Sequence, residues 1–541
     1  WTFPIVFNPL EPKTLYISSQ HLWKTIDDGQ SWTKISPDLT RAEPKTLGPS
    51  GGPITGDMNG PEVFATIFAI APSRLERGTI WTGSDDGIVS VTRDEGKHWA
   101  KVTPPGMPDL GRVSLIDASP HKAGTAYVAV KNYLQEDRAP YIFRTDDYGR
   151  TWTKIVNGIK AGDYVHAVRE DPKRPGLLYA GTEHGIYVSF DNGDNWQSLS
   201  LNLPDTQVSD IVVEAHDLVI ATHGRSFYIL DDIDVLRQLT AQVASASIHL
   251  YQPRETLRSV NQAAIYYYLK SPAEKVTIDI LDAKGQNIRT FTGIRADEQK
   301  QEARRPDAAG EESDFGPPQP RTRLTNAGLT KFTWDLRYPG ATTFPGMILW
   351  SANAASGPVA PPGNYQVRLT VGDQVEMQPL VIKPDPRLSG VTEKDLQEQF
   401  DLAMKIRDKT SEANQAVIDI REIKKQAKDR ADKAKEPAIT AAADALTKKL
   451  SEVEEEIYQV RNQSNQDPLN FPIKINNRIA ALRRSVETGD ARPTNASYQV
   501  FKELTAELEV QIARLKSIEA TELNALNKLL VAKSLEAIKS P

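Results

Sequence analysis

The sequence predicts a multidomain protein of β plus α class. A β-propeller, present in part, occupies residues 1–240, an immunoglobulin-like β-sandwich 241–388 and a helical bundle 389–541. Three observations predict it. An eight-residue box, Ser or Thr, any, Asp, any, Gly, any, any, Trp, occurs as "TIDDGQSW", "TRDEGKHW", "TDDYGRTW" and "SFDNGDNW" before residue 200. Beyond residue 240, alternating apolar and polar runs continue without the box, and from Thr392 apolar residues recur at helical spacing. An internal repeat, a period of two and a period of 3.6 are separate signals, and they occupy separate parts of the chain.

Each box closes a larger unit. Before the box at Gly193 stands "EDPKRPGLLYAGTEHGIYVS", which reads as a turn with Pro172 and Pro175, a strand at 177–180, a Gly-containing turn and a strand at 186–189. "NPLEPKTLYISSQHLWKT", "APSRLERGTIWTGSDDGIVSVT" and "SPHKAGTAYVAVKN" with "YIFRT" follow the same grammar. Short alternating strands separated by turn signals, recurring with box glycines at positions 29, 96, 149 and 193, read as four-stranded blades. Within the box, Asp27, Asp94, Asp147 and Asp191 are expected to make turns, accepting hydrogen bonds from N–H groups one to three residues on. Gly29, Gly96, Gly149 and Gly193 supply a positive φ, and Trp32, Trp99, Trp152 and Trp196 bury a ring between sheets. A repeated turn explains four aspartates, whereas one active site does not.

Three places carry candidate chemistry. The stretch Thr46 to Ser73 reads as a long Gly- and Pro-rich loop with Asp57, Asn59 and Glu62, suited to contacting a ligand or partner. His166, on a short apolar strand, is expected to face the propeller centre as a packing residue or a ligand contact. Arg225 is expected to tie the final strand to its neighbour or to Asp231 and Asp232, or else to clamp a carboxylate. Glycoside hydrolysis needs two carboxylates roughly 5–9.5 Å apart, and no local motif establishes such a pair.

After the propeller, Ala263 to Gly293 alternates through 276–281 and turns at "DAKGQ". It pairs naturally with Gly328 to Gly340 and Pro361 to Arg387 as strands of the sandwich. A charged insertion of mixed sign, 295–325, separates the halves and reads as solvated. Leu504, Leu508, Ile512, Leu515 and Ile518 form one apolar stripe, and three or four antiparallel helices are expected.

Composition sets the exclusions. A formal net charge of −6 over 541 residues, with no basic stripe, argues against nucleic acid as a partner. The absence of cysteine removes disulfides, thiolate metal sites and cysteine nucleophiles, and the eight histidines show no metal-binding spacing, so no metal and no cofactor are expected. No run approaches the roughly 20 apolar residues of a membrane span. The chain begins at Trp1, and an upstream segment is expected.

The four boxes resemble the Asp-box, or BNR repeat, of sialidases, some endoglucanases, sortilin-type VPS10 propellers and a photosystem assembly factor. "DLVIATHGRSFYILDDIDVLRQL", Asp217 to Leu239, resembles the last blade and exit of large bacterial sortilin-like proteins labelled glycosyl hydrolases, and the sandwich resembles the Ig-like module of flagellar hook-capping proteins. The resemblance implies an extracytoplasmic protein, periplasmic, surface-associated or secreted. It implies a binding or scaffold protein whose propeller takes a protein or glycan ligand. The alternative is a glycoside hydrolase, sialidase- or endoglucanase-like, with catalytic carboxylates partly upstream. Four boxes and one terminal unit make fewer blades than such relatives have, so an upstream propeller segment, in the same precursor or as a cleaved chain, is expected to complete the ring and cover its open edges.

Overall fold

The computed structural model describes residues 3–49, 51, 54, 56, 63–298 and 323–540, which form two compact units, Trp1–Leu239 and Thr240–Pro541. The chain is β-rich and propeller-like in its first unit and mixed β and α in its second.

Five antiparallel sheets succeed one another in the first unit. The first comprises Val6–Asn8, Glu11–Ser18, Leu22–Thr25 and Thr33–Lys34; the second Ile67–Pro72, Ile80–Ser84, Val89–Thr92 and Ala100–Lys101. The third runs through Arg112–Ala118, Ala126–Asn132, Asp137–Thr145 and Thr153–Lys154, and the fourth through Val165–Glu170, Leu178–Thr182, Gly185–Ser189 and Gln197–Ser198. The fifth has three strands, Val208–Val213, Leu218–Thr222 and Phe227–Leu230. Strands pair in sequence order within every sheet, so each sheet is a meander whose turns are local. Apolar clusters join each sheet to the next: Tyr16, Leu22 and Ile67 between first and second; Trp81, Val113 and Phe143 between second and third; Tyr127, Ile142 and Val168 between third and fourth; Leu177, Val208 and Ile220 between fourth and fifth. The stretch expected to be loop from Thr46 to Ser73 therefore ends in structure. Its "IFAIAP" is a buried first strand, because a short apolar run is driven into the stack.

The boxes fold alike. Two successive residues take positive φ, Asp28 and Gly29, Glu95 and Gly96, Tyr148 and Gly149, Asn192 and Gly193, which closes the hairpin with the twist of its strands. The carboxylate accepts from the N–H four residues on, at Ser31, His98, Thr151 and Asn195, not one to three as the sequence suggested. The hydroxyl of Thr25, Thr92, Thr145 or Ser189 donates to the same carboxylate and accepts from the box glycine N–H. Hydrogen bonds led by Ser31 hold Asp27 down at about 2, and those led by His98 do the same for Asp94. Of the four box tryptophans only Trp196 is buried; Trp32, Trp99 and Trp152 are half-buried. The indole Nε1–H of Trp99, Trp152 and Trp196 donates to a carbonyl of the preceding sheet, at Ile35, Val102 and Ile155.

In the second unit, a three-stranded sheet (Ile248–Leu250, Ala263–Leu269, Gly328–Trp334) and a five-stranded sheet (Thr256–Leu257, Gln374–Lys383, Gly363–Val371, Lys275–Leu281, Asn287–Ile294) share one core around Ile265, Tyr267, Ile278, Trp334 and Val367. The charged insertion lies largely outside the described residues; at its edge Glu298 accepts from Leu324 N–H and Thr325 Oγ1. Five helices, Glu393–Ala434, Pro437–Ile457, Ile475–Val486, Asn495–Ile518 and Asn524–Ala532, enclose a second core. The first begins on a capping box, Thr392 with Asp395, and ends at Lys435 with φ 52°. Among the described residues no helix is long and apolar enough to cross a membrane.

Candidate functional site

At one end of the first unit, in three of the five sheets, the turn after the second strand meets the residue leading into the first. Asp85 N–H donates to the Thr66 carbonyl, Glu183 N–H to Tyr164 and His223 N–H to Gln207, so Asp85, Glu183 and His223 hold equivalent places in the second, fourth and fifth sheets. In the third sheet this turn is longer. Asn132 pairs with Asp137 across a register shift, and one turn of 3-10 helix, Tyr133–Gln135, fills the gap. The extra length brings Tyr133 over Tyr164, with ring centroids 5.0 Å apart and planes 20° from parallel.

Beneath this pair three titratable side chains form a line. Lys131 Nζ lies 3.3 Å from His166 Nδ1, and His166 Nε2 lies 3.1 Å from a Glu183 carboxylate oxygen. An ammonium can only donate, so Nδ1 accepts and Nε2 carries the proton that Glu183 receives. His166 is 4% exposed. Burial first, and then the Lys131 charge, hold its pKa down to about 4, so the imidazole is neutral at pH 7. Burial and then the Arg112 charge lower Lys131 to about 8. The Tyr164 phenol is raised by burial and by its hydrogen bond to Glu183. Glu183 thus receives two donors while remaining partly open to solvent. Nearby, the Arg112 guanidinium lies 5.0 Å from the Phe68 ring centroid, and its buried Nε has no hydrogen-bond partner.

A recess of about 450 Å³ is lined by Lys160, Asp163, His184, Tyr187, Ser200 and Asp205, the neighbours of Tyr164 and Glu183 in the chain among them. Asp163 is 4% exposed. Its Oδ2 accepts from the Tyr187 hydroxyl at 2.6 Å, and its Oδ1 has no partner. His184 bonds Asp205 at 2.9 Å, which raises the imidazole pKa. Aromatic plates beside fixed acceptors and donors suit a ligand with apolar faces and hydroxylated edges. Among the described residues no group of three His, Asp or Glu side chains could hold a metal ion.

Of the residues singled out by sequence, His166 lies at the centre of this cluster. Asp57, Asn59 and Glu62 lie outside the described residues. Arg225 makes neither tie expected of it. Positive φ at Gly224 and Ser226 forms a turn that carries it outward, exposed and with no hydrogen bond or ion pair to Asp231 or Asp232. No motif in the sequence marks Lys131, Tyr133, Asp163, Tyr164 or Glu183. The one usable signal was charged or amide-bearing residues inside apolar strands, as in "VAVKNY".

No protein-family model matches the chain. An oligoxyloglucan-reducing end-specific xyloglucanase of Emericella nidulans is 29% identical over 111 residues, covering 19% of this chain and 13% of its own length. A probable enzyme of the same description from Neosartorya fischeri is 25% identical over 211 residues, 36% of this chain and 23% of its own. The chain thus spans less than a quarter of the curated relatives it matches. Among solved structures, the GH74 xyloglucanase from Xanthomonas campestris aligns with 48% of this chain and 42% of its own at 16% identity and TM-score 0.34.

Proposed function

We propose that residues 1–239 are part of a glycoside-hydrolase-related propeller that binds a neutral glucan-type oligosaccharide across the sheet ends bearing Tyr133, Tyr164, Glu183 and Asp163. The observation that carries this reading is the stacked tyrosine pair beside Glu183 and the unpartnered Asp163 oxygen. Sugar rings stack on aromatic faces through their C–H groups and donate hydroxyls to carboxylates. Similarity to xyloglucanases supplies the substrate class. On this reading the boxes are Asp-box repeats of a sortilin-like propeller, 241–388 is an Ig-like spacer, 389–541 is a helical module, and the protein acts outside the cytoplasm where polysaccharide is met.

Hydrolysis is the second reading, favoured by the activity named for both relatives. Glu183 then supplies one carboxylate and the second comes from outside residues 1–239.

Calorimetric titration with xyloglucan oligosaccharides tests the first reading. Tyr133→Ala is expected to weaken binding about tenfold, equivalent to ~1.4 kcal/mol, and absence of binding by the unaltered protein at millimolar sugar would overturn it. Release of new reducing ends, lost in Glu183→Gln, supports hydrolysis; binding without release leaves the binding reading alone.

A further inference from the structure

The middle sheets of the first unit are covered on both faces. Every residue of Ile80–Ser84, Val89–Thr92, Leu178–Thr182 and Gly185–Ser189 is buried. The two end sheets are covered on one face only. In the first sheet, Phe7 opposite Leu15 and Ile17 opposite Trp23 lie on the face turned away from the second sheet, and Phe7 is 64% exposed. In the fifth sheet, Val212 opposite Val219, Val219 opposite Ile229 and Ala221 opposite Phe227 share the face turned away from the fourth, with Ile229 61% and Phe227 73% exposed. Contiguous apolar surface of this kind on a sheet marks an interface.

The contacts between the covered sheets say what fits there. Each of the last three boxes presses on the preceding sheet at two points. Its indole N–H reaches the carbonyl of the residue after that sheet's fourth strand, at Ile35, Val102 and Ile155. Its glycine comes so close that an added Cβ would stand 2.3 Å from Ile35 O, 2.6 Å from Val102 Cβ or 2.4 Å from Ile155 Cδ1. The first box has neither contact. Trp32 Nε1 makes no hydrogen bond among the described residues, and a Cβ on Gly29 would meet nothing nearer than Trp32 itself at 3.7 Å. The first box carries the same glycine and indole donor as the other three, with no sheet against them among the described residues.

We infer that the face carrying Ile5, Phe7, Leu15, Ile17 and Trp32 receives a further four-stranded antiparallel sheet, contributed by polypeptide preceding residue 1 of the same protein. The carbonyl that follows that sheet's fourth strand accepts Trp32 Nε1–H. A second copy of this chain does not meet the requirement. Its free sheet, the fifth, has three strands and ends at Leu230, so it lacks the strand whose exit supplies the acceptor. The exposed face of the fifth sheet is then the other end of the same gap. The inference stands apart from the saccharide reading, since it concerns the faces between sheets and not their ends.

The test compares the 541-residue chain with the protein carrying its natural upstream residues. Trp32→Phe keeps the ring and removes the donor, with Trp152→Phe as the reference. In the 541-residue chain, Trp152→Phe should lower the denaturation midpoint by several degrees and Trp32→Phe should leave it unchanged. In the longer protein both should lower it. Binding of a hydrophobic dye should be several-fold greater for the 541-residue chain than for the longer protein, and Phe7→Ser should reduce it in the shorter chain only. Silence of Trp32→Phe in both proteins overturns the inference, as do equal dye binding by both, upstream residues that form no sheet, or a closed head-to-tail dimer of the 541-residue chain that protects Phe7 and Phe227.

Discussion

At the residue scale, the box explains why some positions tolerate change and others do not. Asp191 accepts from Asn195 N–H, Asn195 Nδ2 and Ser189 Oγ. It sits at a largely solvated turn, not in a core, so Asp191→Ala should lower unfolding free energy by about 1 kcal/mol in a denaturant titration, without the larger loss expected of a buried acceptor. The glycines should differ by position. Gly29→Ala incurs only the left-handed backbone cost of roughly 1–2 kcal/mol, whereas Gly149→Ala adds a clash with Val102 and should cost about 1–3 kcal/mol more by the same measurement. His166 gives a pH signature. Its folded pKa, about 4, is below the ordinary 6.5, so the unfolded chain binds more protons between those values and stability falls as pH drops from about 6.5 through about 4. The loss should reach up to about 3 kcal/mol and should vanish in His166→Gln. Measurement in a His184→Gln background removes the opposing contribution of His184, whose raised pKa favours the acid side. The box carboxylates Asp27 and Asp94, depressed from 3.8 to about 2, begin to lose their contribution only below that range. The difference between thermal midpoints of the parent and of His166→Gln, taken at half-unit intervals from pH 7 to 4.5, therefore gives the histidine's share, since groups such as Asp85, raised by burial, act alike in both.

At the element scale, what the sequence discloses is what is local. "LLYAG" and "GIYVS" announce two strands because alternation and flanking glycines act over a few residues, and the structure has strands at Leu178–Thr182 and Gly185–Ser189. The apolar stripe of the last long helix was legible for the same reason: Leu504, Leu508, Leu515 and Ile518 are buried. Most of the candidate site was not. His166 could be named, but its partners stand 35 residues before and 17 residues after it, and only sheet pairing and the lengthened turn at Tyr133 bring them together. Helix Glu393–Ala434 gives a parallel case. Asn414 falls in its buried stripe between Ile406 and Val417 and reads as a flaw in the pattern. In the fold its Nδ2 donates to the Thr342 carbonyl and its Oδ1 accepts from Asn476 Nδ2. Asn414→Ala strands both partners in the core and should cost about 2–3 kcal/mol. Gln415→Ala, one residue on and exposed, should stay within about 0.5 kcal/mol. Equal losses from the two would show that Asn414 is not the link between helix and loop.

At the scale of the whole molecule, the change of composition near residue 389 marks a switch from strand to helix, and the second unit shows why that need not be a switch of cooperative unit. Arg258, buried in a turn between two strands, bonds the Ala360 carbonyl at 3.1 Å, Gln399 of the first helix at 2.9 Å, and Asp490. Gln399 in turn donates to the carbonyls of Val486 and Gly489. Asn477 exchanges two hydrogen bonds with the main chain of Trp350, and Phe344 lies inside the helical core, edge-on to Tyr458 at 5.0 Å. A helix that let go would leave a buried guanidinium and several main-chain groups without partners, so sheets and helices should unfold together. Calorimetry should show one transition for residues 240–541, distinct from that of 1–239, and Leu450→Ala in the helical core should accelerate global hydrogen exchange in the strands Lys275–Leu281 and Gly363–Val371 as much as in the helices. Arg258→Ala, which leaves the Asp490 carboxylate and the Gln399 Oε1 without their donor, should cost about 3–5 kcal/mol, and combining it with Asp490→Ala should cost less than the sum of the two single changes. Strands that keep their protection while the helices exchange would show two modules joined by contact and not by cooperativity.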